Sequence, residues 1–191
     1  MFIKRIALFS IIITTPIFAR IIKVDTLHMM QTEIENIIAI HPQKILVIFD
    51  LDNTLIEPDN DSQYASNQWL EAHVVRSIKN GIPASLAWDT MLPIWFETQN
   101  DPAFYLRTVE KETAQIFQAI QKLTDKTIGL SSRSFYVIPS TIDHLNRLHL
   151  NFLSHSFPEG IKFATAHSQY IKGILFSGSN DKGSLLLEFL A

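Results

Sequence analysis

Cysteine is missing from the chain altogether. Its absence excludes disulfides, thiolate nucleophiles, thiolate metal sites and a lipid-modified cysteine, so the fold must rest on its apolar core. Charge is scarce too: charged residues make up 18% of the chain and the formal net charge is only −3. So mild an excess of acid gives no electrostatic case for nucleic acid or for an anionic membrane surface. Affinity for an anion must then come from a local pocket. The seven histidines lack zinc-ligand spacing such as H-E-x-x-H, and there is neither a G-x-S-x-G elbow nor a Walker-type glycine loop. Internal repeats and low-complexity tracts are also absent.

What is present begins with a short apolar stretch. Lys4 and Arg5 precede Ile6 to Ile13, and Thr14-Thr15-Pro16-Ile17-Phe18-Ala19 follows. A charged start, a short apolar middle and a small residue at the cut read as a secretory signal over residues 1–19. An uncleaved anchor is the competing reading, but Ser10, two threonines and Pro16 interrupt the roughly twenty apolar residues a spanning helix requires. The expectation is an exported protein, periplasmic or secreted, touching membrane only through this segment. Its removal takes away Lys4 and Arg5 and leaves residues 20–191 at −5. With 47% hydrophobic residues, the remainder suits one globular domain of ordinary size.

Asp25 or Thr26 can cap a helix with Leu27, Met30, Ile34, Ile37 and Ile38 on one side, closed by His41-Pro42. A strand over Lys44 to Phe49 follows, with Ile45 to Phe49 an unbroken apolar run, as in a parallel sheet flanked by helices. It ends in Asp50 and Asp52, at the strand edge where open α/β sheets bind ligands. Two carboxylates so placed can divide labour: one attacks a phosphorus or carbon centre, the other gives and takes a proton. The bland alternative is a core strand followed by an Asx-type turn. Glu57-Pro58-Asp59-Asn60-Asp61 reads as a polar loop. Helical patterns are expected over Ser62–Lys79, Ala84–Glu97 and about Phe104–Leu123, then a second strand over Thr127–Leu130 and a helix over about Val137–His149 with Pro139 in its first turn. Ile171–Phe176 reads as a further strand, paired with residues 161–165 in one possible hairpin, and Ser184–Leu190 as the last helix.

Leu46-Val47-Ile48-Phe49-Asp50-Leu51-Asp52-Asn53-Thr54-Leu55 resembles the first motif of the haloacid dehalogenase superfamily of phosphohydrolases: four apolar residues, then D-x-D-x-[TV]-[LV]. Such a string should arise by accident on the order of once in several thousand chains. The resemblance extends from about residue 40 to the end of the chain. It implies a Rossmann-like parallel sheet flanked by helices, with a helical cap inserted after the first strand at about residues 60–123. Trp69, Trp88, Trp95 and Phe96 fall in that insert, where they would either close over an organic leaving group or form the insert's own small core. An exported, HAD-like subgroup of undetermined function is the nearest likeness, sharing the signal and a segment like Gln68-Trp69-Leu70.

The resemblance also assigns roles. Asp50 would be the nucleophile and Asp52 the acid and base; the Asp50 carboxylate and the Asp52 carbonyl would hold Mg²⁺. Ser131, with Ser132 as fallback, matches the second motif. Lys182, with Lys172 the substitute, matches the third, and Thr54 would assist in holding phosphate. A lysine at the opening of a helix is disfavoured by the helix dipole, so its placement asks for a reason. Arg133 could steer an anion, although a solvated arginine is the default for a lone basic residue. Superfamily members carry a fourth motif beyond the lysine helix, an apolar strand ending in acidic residues. This sequence ends at Ala191, Asp181 and Glu188 do not follow a strand, and the expectation is a C-terminally truncated domain whose first strand lacks a neighbour.

The reading is a Mg²⁺-dependent phosphomonoesterase acting through an aspartyl-phosphate on a small phosphorylated substrate. A dehalogenase fits less well, because a proton-transferring second aspartate has no work when halide leaves. The rival reading is a non-catalytic exported protein, truncated or retained as a binding module.

Overall fold

The computed structural model describes residues 21–40, 45–60, 64–153, 156–161, 163–164 and 167–191. The expected signal segment, the His41-Pro42 helix end and Asp61–Ser62 lie outside them. The architecture is mixed α/β, a mostly parallel sheet flanked by helices.

Helix α1 spans Leu27–Ile40, with the Thr26 hydroxyl accepting the Met29 N–H at 3.2 Å, as a cap does. Its core-facing residues are Leu27 and Ile34, while Ile37 is exposed. Strand β1, Leu46–Phe49, follows. Residues 57–61 read as loop, yet Glu57 and Pro58 belong to a strand, β2, Ile56–Pro58. It pairs antiparallel with β3, Leu106–Thr108, so that the helical pattern expected from Phe104 begins only at Thr113. The pairing is reinforced by Arg107 Nε donating to Glu57 Oε1 at 2.9 Å. This two-stranded ribbon is the stalk through which the chain leaves and re-enters the sheet layer. Between its strands stand α2, Asn67–Lys79, capped by the Ser66 hydroxyl, and α3, Ala84–Asn100, packed against each other.

After the stalk come α4, Thr113–Leu123, and β4, Lys126–Ser131. A 3-10 turn, Phe135–Val137, leads into α5, Ile138–Arg147, with Pro139 in its first turn. The expected strand 171–176 is split into β5, Gln169–Ile171, and β6, Ile174–Phe176, joined by Lys172 (φ 52°) and Gly173 (φ 81°). Positive φ at both central residues makes the two-residue turn whose twist suits a hairpin. A Cβ on Gly173 would come within 2.7 Å of Phe152 Cβ, so the position also excludes larger residues sterically. Helix α6, Lys182–Leu190, closes the chain.

The main sheet runs β1-β4-β6-β5, with β1, β4 and β6 parallel and β5 antiparallel. Alternation along the strands divides the core. Val47, Phe49, Ile174 and Phe176 face a large cluster containing Ile34 of α1, Phe117 of α4 and Leu145 of α5. Ile128 and Leu175 face a smaller one with Leu185 and Phe189 of α6. The rings of Phe49, Phe117 and Phe152 lie 4.8 to 6.5 Å apart in tilted and edge-on arrangements. They anchor the very end of β1, one residue before Asp50.

Candidate active site

The turn after β1 is built around Leu51. This residue is fully buried, and its carbonyl receives the N–H groups of Thr54, Leu55 and Ile56 at 3.2, 2.9 and 3.0 Å. Asn53 takes φ 58°, a left-handed conformation asparagine tolerates better than most residues, and its N–H returns to the Ile56 carbonyl at 2.8 Å. With Leu51 driven into the core, Asp50 and Asp52 emerge away from it, each meeting its own cation.

Asp50 meets Lys182. The Nζ of Lys182 donates to Asp50 Oδ1 at 2.7 Å, and the same oxygen accepts the Leu51 N–H at 2.9 Å. The pair is open to solvent, with side chains 33% and 49% exposed. Lys182 occupies the first position of α6, and the preceding Asp181 caps the helix by accepting the Ser184 N–H at 2.7 Å. Hydrogen bonds from Ser184 hold the Asp181 carboxyl below its ordinary range. The partner that the awkward placement of Lys182 asked for is Asp50.

Asp52 meets Arg133. Nη2 donates to Oδ1 at 2.7 Å, and Nε reaches Oδ2 at 3.1 Å and Oδ1 at 3.2 Å. This is the forked geometry in which a planar guanidinium engages a carboxylate. Nη1 donates to Gln99 Oε1 at 3.0 Å and to Thr141 Oγ1 at 3.1 Å, and the guanidinium lies 5.6 Å from the centre of the Trp95 ring. The Arg133 side chain is 2% exposed and that of Asp52 17%. A solvated arginine was the default expectation; the structure overturns it. Within the sequence the one pointer was its position two residues after Ser131, at a strand end facing the aspartates. Gln99, also fully buried, gave no signal at all.

Ser131 ends β4 and is buried, its Oγ accepting the Arg133 N–H at 3.2 Å. Ser177, just past β6, donates its N–H to the Ser131 carbonyl at 2.8 Å. Its buried hydroxyl has no partner among the described residues. Ser132 is exposed, and Thr54 sits half-buried in the turn, contributing its main chain. Lys172 belongs to the β5–β6 turn, at the opposite end of the strands from Ser131 and Ser177, which removes it as a substitute for Lys182.

The aromatic residues of the insert divide. Trp95 is core, its Nε1 donating to the Ala65 carbonyl at 2.8 Å. Trp69 packs edge-on against Tyr64, 5.0 Å away. Trp88 is exposed, and Phe96 lines, with Pro93, Glu97, Asn100 and Tyr136, an open hollow of about 590 Å³.

The resemblance expects Mg²⁺ on the Asp50 carboxylate and the Asp52 carbonyl. Magnesium takes an octahedral set of oxygens, from one or two carboxylates, phosphate and water. Of the two expected ligands, Asp50 also accepts from Lys182 through Oδ1; the Asp52 side chain, which faces Arg133, is not one of them. Among the described residues no group of three or more His, Asp or Glu side chains gathers to hold an ion. The Asp50 carboxylate and the Asp52 carbonyl are the oxygens that would hold the ion, with water and phosphate completing its set.

A family described as "Protein of unknown function (DUF2608)" matches residues 25–191. A protein of Chlamydia pneumoniae named "Putative outer membrane protein" is 28% identical over 148 residues, covering 75% of this chain and 53% of that protein. The chain thus spans about half the length of the curated relative it matches. No solved structure matches. Among the described residues no helix is long and apolar enough to cross a membrane.

Proposed function

The chain belongs to the family of proteins of unknown function DUF2608, and from its site we propose that it is an exported phosphomonoester hydrolase of the haloacid dehalogenase type. The observation that carries this reading is the Asp50–Lys182 pair at the carboxyl edge of the parallel strands, with a second carboxylate two residues on.

Phosphate esters would enter where Lys182 and Asp50 meet solvent. Lys182 has two N–H bonds beyond the one given to Asp50, and these would bind the equatorial phosphoryl oxygens where charge accumulates. Asp50 would attack phosphorus as the bond to the leaving oxygen breaks, giving an aspartyl-phosphate. Asp52, in its protonated form, would give its proton to that leaving oxygen. As carboxylate it would then take a proton from the water that cleaves the intermediate, returning Asp50 and releasing phosphate. Ser131 can accept from the Arg133 N–H while its own O–H turns toward the phosphoryl group, with Thr54 in the adjoining turn.

A second reading, a non-catalytic binding module, is favoured by one observation: each carboxylate already has its own cation. Hydrolysis of p-nitrophenyl phosphate by the pure chain, with and without Mg²⁺, separates the two. Turnover should fall by roughly 10⁴-fold in Asp50→Asn, and intact-mass measurement after acid quench should find the phosphoryl adduct in the native chain alone. Rates equal to the Asp50→Asn background would support the binding module. Export is tested by fusing residues 1–24 to a reporter active only outside the cytoplasm.

A further inference from the structure

Arg133 occupies a place that the phosphatase reading leaves without a task. Its guanidinium is fixed by three elements at once: the turn after β1 through Asp52, α5 through Thr141, and α3 through Gln99. The attachment to α3 is double. Gln99 and Trp95 are four residues apart, hence on one helix face; the first gives Arg133 an oxygen and the second lies beside its guanidinium. Both also grip one carbonyl, that of Ala65, through Gln99 Nε2 at 2.9 Å and Trp95 Nε1 at 2.8 Å. Ala65 takes φ 59°, a conformation uncommon outside glycine that persists only when its surroundings impose it. The Gln99 amide is oriented at both ends: reversing it would aim N–H at the guanidinium and oxygen at a carbonyl.

We propose that Arg133 is a positioning residue that ties the acid–base carboxylate Asp52 to the seating of the helical insert, with Gln99 as the link. Displacing α3 strips Nη1 of an acceptor and Ala65 of two donors in a buried setting, where unmade hydrogen bonds are costly. The guanidinium therefore holds Asp52 in one orientation only while the insert is in place. A substrate whose leaving group rests on the insert would, by seating it, align the group that protonates that leaving oxygen. This rests on the phosphatase reading, and the test separates the two.

The full-length chain and its Gln99→Leu and Arg133→Lys variants are assayed on p-nitrophenyl, phenyl and glycerol phosphates, a series of rising leaving-group basicity. If Arg133 and Gln99 act through Asp52, the loss in kcat grows along the series, reaching about a hundredfold with the alkyl ester, while KM stays near the native value. An equal loss on all three esters overturns the proposal. Independently of turnover, a double-mutant cycle of Asp52→Asn and Gln99→Leu is read by urea unfolding. Among the described residues Arg133 bonds both positions, so the changes should be non-additive; additivity overturns the link. A native chain that hydrolyses none of the esters brings down the phosphatase reading, and the cycle alone then upholds or overturns the tie between Asp52 and the insert.

Discussion

The two aspartates stand one residue apart and live in different surroundings. The Asp50–Lys182 pair lies at the lip of the sheet, half in water, joined by a flexible ammonium. The Asp52–Arg133 pair lies beneath the insert, with the arginine almost wholly enclosed and its remaining donors distributed to Gln99 and Thr141. Exposed pairs contribute little to stability because water and salt already solvate their charges. An enclosed pair is different: removing one partner strands a charge that the interior cannot solvate. Under the proposed reading the contrast suits a division in which the open pair would hold the phosphoryl group and the enclosed arginine would fix the carboxylate that moves the proton.

The sharpest break of that contrast is Asp52→Ala. It leaves the Arg133 guanidinium buried without its carboxylate and should cost about 3 kcal/mol, read as a lowered urea midpoint. A loss near zero would mean that the pair is solvated like the other.

Acid should weaken the enclosed region next. His144 of α5 is buried, and its Nε2 lies 3.0 Å from the Phe104 carbonyl. A carbonyl only accepts, so Nε2 carries the proton, and Nδ1 has no partner among the described residues. Burial is the main cause holding His144 below its ordinary value of 6.5. The Phe104 bond and Asp143 oppose that shift, and the charges of Arg133 and Arg147 add to it. The unfolded chain therefore binds more protons than the folded one below pH 6.5, so stability is intact above that pH and falls as pH drops toward the folded value. Urea midpoints on either side of that pH should show the decline, and His144→Leu should flatten it.

The smallest effect belongs to the lip. Lys182→Ala should change stability by less than about 1 kcal/mol, and raised salt should erase even that. Its turnover of p-nitrophenyl phosphate, by contrast, should collapse.

Much of the sheet layer was legible because its signals are local. An apolar run ending in Asp-Leu-Asp fixes β1 and its edge, and the buried Leu51 between two polar neighbours fixes which way each points. The helix-opening lysine was visible as a misfit with the dipole. What could not be read depends on distant partners. Strands β2 and β3 have three residues each and show no pattern until paired. Lys172 adopts a left-handed turn conformation more typical of glycine or asparagine. Arg133 reaches Asp52 across 81 positions and Gln99 across 34, and nothing near any of the three announces the other two.

Among the described residues β1 lies at one edge of the sheet and pairs with β4, so the segment that leads into Asp50 is held to the sheet from one side. An oxyanion lodged between Asp50, Lys182 and Ser131 would clasp this border strand to its neighbours from above. Occupancy of the crevice would thereby be written into how the sheet breathes: amide protons of Val47 to Phe49 should exchange with deuterium more slowly in inorganic phosphate than in chloride, the protection rising with phosphate concentration.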